Sequence, residues 1–150
     1  MKSTMDALKT AKALGVETVG INAEDASRTK LGRLIEFAVE IIRIAQTLPH
    51  SDIGKHIRNQ LVRSGTSPAA NYGEAKSAES RQDFIHKLKL ALKELRETNV
   101  WLLVIKKADL VIQKTELMKI LEENEELISI LFKSTDTAKS NLRKIKDKKP

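Results

Sequence analysis

Residues 80–107 read SRQDFIHKLKLALKELRETNVWLLVIKK, and the spacing inside this stretch decides the fold class. Phe84, Leu88, Ala91, Leu95, Thr98, Leu102 and Ile105 succeed one another in steps of four and three. With side chains turning by about 100° per residue, these positions fall on one stripe of a helix, the seam that packs in a bundle. Ser80-Arg81-Gln82-Asp83 starts the helix: a serine N-cap followed three residues later by Asp83, in the place a capping box gives to Glu.

Three further helical segments flank this one. Upstream, Leu31, Leu34, Ile35, Ala38, Ile41, Ile42, Ala45 and Leu48 mark a helix from Leu31 to Thr47. Pro49 ends it, because the residue before a proline is pushed out of the α region. Ser51 is the expected N-cap of a second helix reaching Ser77, with Asp52 in its first turn. Pro68 inside that helix removes one backbone hydrogen bond, which predicts a bend near Ser64 or Gly65. Downstream, Leu117, Ile120, Leu121, Leu127, Ile128, Leu131, Ala138 and Leu142 predict a fourth helix from Thr115. The connections Leu48–Asp52 and Ala108–Lys114 are short, so neighbouring helices should pack antiparallel. The expected architecture is all-α: an up-down-up-down antiparallel four-helix bundle over residues 31–138. Residues 1–30 form an N-terminal extension, with a short helix expected at Thr4–Leu14 and a linker over Asn22–Lys30. Residues 139–150 form a basic C-terminal tail.

Composition agrees and narrows the chemistry. Only 3% of the 150 residues are aromatic, with 3 Pro and 6 Gly, whereas 41% are hydrophobic and mostly aliphatic. This is poor material for a turn-rich β-sandwich and good material for packed helices. The absence of Cys excludes disulfides, thiolate metal sites and Cys nucleophiles. No apolar run approaches the roughly 18 residues a membrane span needs. The start MKSTMDALKTAKALG lacks the uninterrupted apolar run of a signal peptide. A cytoplasmic protein without a membrane partner is the expectation.

The formal charge of +7 is unevenly spread. Lys139, Arg143, Lys144, Lys146, Lys148 and Lys149 stand against Asp147 alone, so the last twelve residues hold +5 of it. Such a segment suits phosphate backbones, or serves only as a solvated terminus. On the third helix Lys89, Lys93, Arg96 and Lys107 share an arc of about 60° and span about 27 Å, interrupted by Val100. They are placed to follow several phosphates, or to solvate an exposed face. With Arg143, Lys144 and Lys146 they form the candidate nucleic-acid-binding set.

The second helix carries a polar stripe, His56, Gln60, Arg63, Ser67, Asn71 and Glu74, beside the apolar face Ile57, Leu61, Pro68, Tyr72 and Ala75. Two readings stand: a binding site, or an interhelical network of Arg63, Ser67, Asn71 and Glu74, with Glu97 of the third helix as partner for Arg63. The third helix also has more apolar surface than one seam needs, with Leu90, Trp101 and Val104 on a second stripe. A subunit interface anchored by Trp101 accounts for it, as would coverage by residues 1–30.

Catalytic motifs are missing. His50, His56 and His86 make no i,i+4 pair, and no His-Glu-x-x-His, Gly-x-Ser-x-Gly or phosphate-binding Gly-rich loop is present. Glu122, Glu123, Glu125 and Glu126 lack the Glu-x-x-His partner of a di-metal bundle site. No enzyme, cofactor or metal is expected.

The stretch from Gln60 to Ala75, QLVRSGTSPAANYGEA, resembles the signature of the bacterial four-helix-bundle proteins known as 23S ribosomal RNA intervening-sequence proteins. The resemblance rests on Arg63-Ser64, Ser67, Asn71 and Glu74, then Phe84 and the Ala91…Glu97-Thr98 pattern, and covers Leu31 to Ala138. Gly73-Glu74-Ala75 departs from it, because members place Gly after Glu where the second helix ends. The resemblance implies a bundle assembling as homopentamers with a basic surface. It also implies binding of nucleic acid or ribonucleoprotein without catalysis, related proteins serving as accessory factors of diversity-generating retroelements.

Three functions follow as expectations. The first is a homo-oligomer that binds structured RNA or DNA, with Lys139–Lys149 as a mobile basic arm. The second is a scaffold or accessory subunit that docks a nucleic-acid enzyme such as a reverse transcriptase through the Trp101 face. The third is a membrane-surface binder; it ranks last because the tail has no aromatic anchor.

Overall fold

Four helices account for nearly all of the described residues: α1 Ala23–Ala45, α2 Asp52–Lys76, α3 Arg81–Lys107 and α4 Lys114–Asp147. The structure is a computed structural model of the chain; it describes residues 23–149, with side chains from Lys30 onward. The chain divides into two compact units, residues 1–33 and 34–150, and the second is a four-helix bundle. The helix expected at Thr4–Leu14 lies outside the described residues.

The helix ends follow local chemistry. Ser51 Oγ accepts from the Gly54 N–H at 3.1 Å and Ser80 Oγ from the Asp83 N–H at 3.0 Å, the two N-caps read from the sequence. α3 has no glycine or proline to stop it. Asp109 adopts φ 55° instead, the left-handed conformation that a short polar side chain tolerates. The Leu110 N–H then reaches the Ile105 carbonyl at 3.1 Å and the Asp109 N–H reaches that of Lys106 at 3.2 Å, a Schellman closure. Arg58 of α2 seals the end of α1, its guanidinium donating to the carbonyls of Ala45 (3.3 Å), Leu48 (3.4 Å) and Pro49 (3.1 Å). A cation at a helix C-terminus also offsets the helix dipole.

Contacts between helices run in opposite sequence directions, which fixes the antiparallel order. Gly65 of α2 abuts Ile41 of α1, while Arg58, earlier in α2, meets Ala45, later in α1. Ser64 pairs with Thr98 and Glu74 with Lys87, so α3 runs back along α2. Leu88, Ala91, Leu95, Thr98, Leu102 and Ile105 are all buried, as their steps of four and three required. Phe84 is only half-buried; Ile85 and Leu92 complete the α3 core instead. α2 stays helical through the buried Pro68.

Several polar groups inside the core bridge helices, although the buried Oδ1 atoms of Asn99 and Asn124 have no hydrogen-bond partner among the described residues. Thr98 Oγ1 donates to Ser64 Oγ at 3.0 Å between α3 and α2, and Asn124 Nδ2 of α4 donates to the Leu95 carbonyl at 3.0 Å. Replacing Thr98 by Val keeps the volume but leaves the fully buried Ser64 hydroxyl without its interhelical partner. The expected loss is about 1–2 kcal/mol in chemical denaturation.

Three expectations change. Ala23–Lys30 belongs to α1 and is not a linker. The α1 core face is rotated: Phe37 and Ile44 are buried, while Ile35 (49% exposed) and Ile42 (40%) lie outside with Val39. The segment LIEFAVEIIRIA is apolar on more than one side, so periodicity alone allowed either face. Ile41, common to both faces, packs against Gly65 of α2, and the burial of Phe37 and Ile44 beside it is set by the bundle. Finally, Lys139–Asp147 is not a mobile arm but the last turns of α4. It contains good helix formers and no Gly or Pro, and its cations sit at the favourable end of the helix dipole.

Candidate nucleic-acid interface

The continuation of α4 brings the two basic features together. Gln82, Ile85, His86 and Lys89 follow the i, i+3, i+4, i+7 spacing of one α3 face. Lys139, Leu142, Arg143 and Lys146 repeat that spacing on α4. The helices place these two faces around one groove of about 400 Å³. Its lining contains Lys89, Lys139, Arg143 and Lys146 and no acidic residue. Ile85 is buried and Leu142 half-buried, so the groove has an apolar floor under a cationic rim. None of the four cations is in an ion pair with another described residue.

Lys93, Arg96 and Lys107 are also exposed, continuing the α3 stripe away from the groove, and Lys144 is exposed on α4 without lining it. The sequence reading missed Gln82, Ile85, His86 and Leu142 as partners of these cations. The signal was present as two copies of one spacing pattern, but residues 139–146 were set apart as a tail and the register that brings the two faces together is tertiary.

The polar stripe of α2 faces α3 and is occupied within the chain. The Arg63 guanidinium pairs with Glu97 and, at 3.1 Å, with Glu94, and also donates to Gln60 Oε1. Asn71 Nδ2 donates to Ser67 Oγ at 3.2 Å. Glu74 accepts from Lys87 Nζ at 2.7 Å. That hydrogen bond, together with the Glu74 charge, holds the Lys87 ammonium above its ordinary pKa of 10.5; burial opposes the shift and Asp83 adds to it. A raised lysine pKa keeps the pair's contribution constant through the neutral range, to be lost only as pH rises through the raised value.

Trp101 is partly covered by its own chain. Its indole N–H donates to Glu97 Oε1 at 3.3 Å, and the His56 ring meets it edge-on with centroids 6.1 Å apart. Leu90 on the same stripe is half-buried, and Val104 is 37% exposed beside Val100 and Leu103. Among the described residues no three His, Cys, Asp or Glu side chains are placed to hold a metal, and no helix is long and apolar enough to cross a membrane.

The family model described as 23S rRNA-intervening sequence protein matches residues 32–133, which takes in α2, α3 and most of α1 and α4. The chain belongs to the 23S rRNA-intervening sequence protein family. A crystal structure of a protein with unknown function, from the S23 ribosomal protein family of Bacteroides thetaiotaomicron, is similar to it. The two share 32% identity with a TM-score of 0.67, over 73% of this chain and 97% of that one. None of the curated proteins compared matches. The family match includes Lys89 but ends before Lys139, so the α4 wall of the groove lies beyond the region by which the 23S rRNA-intervening sequence family is recognised.

Proposed function

We propose that this chain is a non-enzymatic, homo-oligomeric bundle that binds RNA or DNA through the basic groove between α3 and α4. The observation that carries the reading is the convergence of Lys89 with Lys139, Arg143 and Lys146 around one groove with no carboxylate in its lining. Cations so gathered displace condensed counterions from a phosphate backbone, and each contact strengthens binding at low salt. Lys93, Arg96 and Lys107 extend the same field along α3. Self-association is supported by apolar side chains left outside the bundle core, Ile35, Val39 and Ile42 on α1 and Val100, Leu103 and Val104 on α3. The number of subunits, five, rests on the family resemblance. Those same apolar faces support the second reading, a scaffold or accessory subunit for a nucleic-acid-processing enzyme such as a reverse transcriptase.

Fluorescence anisotropy of a labelled ribosomal RNA hairpin and of duplex DNA, titrated at several salt concentrations, tests the first reading. Log affinity should fall linearly with log salt, by about 0.9 for each phosphate contact on duplex DNA. Binding that ignores salt, or no binding at low salt, overturns it in favour of the scaffold.

A further inference from the structure

A purely electrostatic duplex binder needs only cations, yet this groove holds more. Its floor is the aliphatic pair Ile85 and Leu142, and Gln82 and His86 of α3 stand at its edge. Resting on the nucleic-acid reading above, we propose that the groove accepts an unpaired nucleotide of a nucleic-acid strand, and so distinguishes loops and single strands from duplex.

In a duplex the bases are stacked and paired, and only phosphates reach a side groove. An unpaired nucleotide presents a flat apolar base that Ile85 and Leu142 can cover and an imidazole can stack on. Its free edge has donors and acceptors, and the Gln82 carboxamide offers one of each kind of group. The flanking phosphates fall to Lys89 and Arg143, on opposite walls. About 400 Å³ lies within the range of small-ligand pockets. The apolar floor has no role in holding phosphate alone, which is why it points to a base; the Gln82 carboxamide serves the base edge in this arrangement, although the same N–H groups suit a phosphate oxygen.

The test uses the full chain and labelled oligonucleotides of equal phosphate number, one single-stranded and one fully paired, with inorganic phosphate and a nucleoside monophosphate as competitors. The single strand is expected to bind more tightly and to keep that advantage as salt is raised. Leu142→Ser and Gln82→Ala should each lower single-strand affinity by about tenfold while leaving duplex affinity unchanged. Both positions lie outside the fully buried core, and circular dichroism melts of each variant verify folding; His86→Ala provides a third, exposed substitution. Equal binding of the two oligonucleotides, an advantage that survives all three substitutions, or competition by inorganic phosphate as strong as that by the nucleotide overturns this inference and leaves the electrostatic reading standing. Binding of neither oligonucleotide at low salt removes both.

Discussion

Neutralising Lys89, Lys139, Arg143 and Lys146 together, each to Gln, is expected to weaken duplex binding by about three to four orders of magnitude at about 0.1 M salt. The figure follows from counterion release. Four lost phosphate contacts reduce the slope of log affinity against log salt by about 3.6, and the deficit grows as salt falls away from the molar range. All four side chains are exposed and none is in an ion pair with another described residue, so the melting transition should hold its position. The same exchange at Lys55 and Lys76 on α2 and Lys119 and Lys133 on α4, four exposed cations outside the groove with no ion pair to another described residue, controls for net charge. If these controls weaken binding equally, the protein's overall field governs and the groove does not.

The largest expected effect on the fold comes from Gly54→Ala. A Cβ built at Gly54 falls onto the carbonyl oxygen of Pro49 and lies 2.8 Å from its carbon. The obstacle is backbone, so no side-chain rotation relieves it; the α1–α2 connection must move. That carbonyl also accepts from Arg58, whose guanidinium closes the end of α1, so the displacement spreads to a second set of hydrogen bonds. Overpacking of this kind costs up to about 3 kcal/mol. Gly73→Ala in the same helix is the internal control, since nothing lies within 4 Å of its Cβ position. There the better helix propensity of alanine should raise stability by up to about 1 kcal/mol. Urea denaturation of the two variants beside the parent decides the matter; similar midpoints would mean that the Pro49 carbonyl yields freely.

Much of the architecture was legible locally. The α3 seam from Leu88 to Ile105 was read at the correct rotation because its steps of four and three persist along the whole helix, whereas the extra apolar residues Leu90, Trp101 and Val104 are confined to a second stripe. Ser51 and Ser80 were readable as caps because a hydroxyl at a helix start bonds amides three residues away. The Arg63–Glu97 pair could be named because both residues had to lie near the shared side of α2 and α3. The rotation of α1 was not legible, since Ile35 and Ile42 are as apolar as Phe37 and Ile44. Burial in the bundle separates the two faces: Phe37 and Ile44 are covered and Ile35 and Ile42 are not.

Helix positions, caps, the α3 seam and the family signature from Gln60 to Ala75 therefore belong to the sequence by itself, because each is set by residues within a turn or two of one another. The groove belongs to the tertiary structure. Lys89 and Arg143 are far apart along the chain, and nothing in the spacing of either helix states their relative register. That register comes from the packing of α4 on α3, through contacts such as Asn124 with the Leu95 carbonyl. Once it is set, the extra turns of α4 carry their cations and Leu142 up to the start of α3, and two ordinary charge stripes become one site.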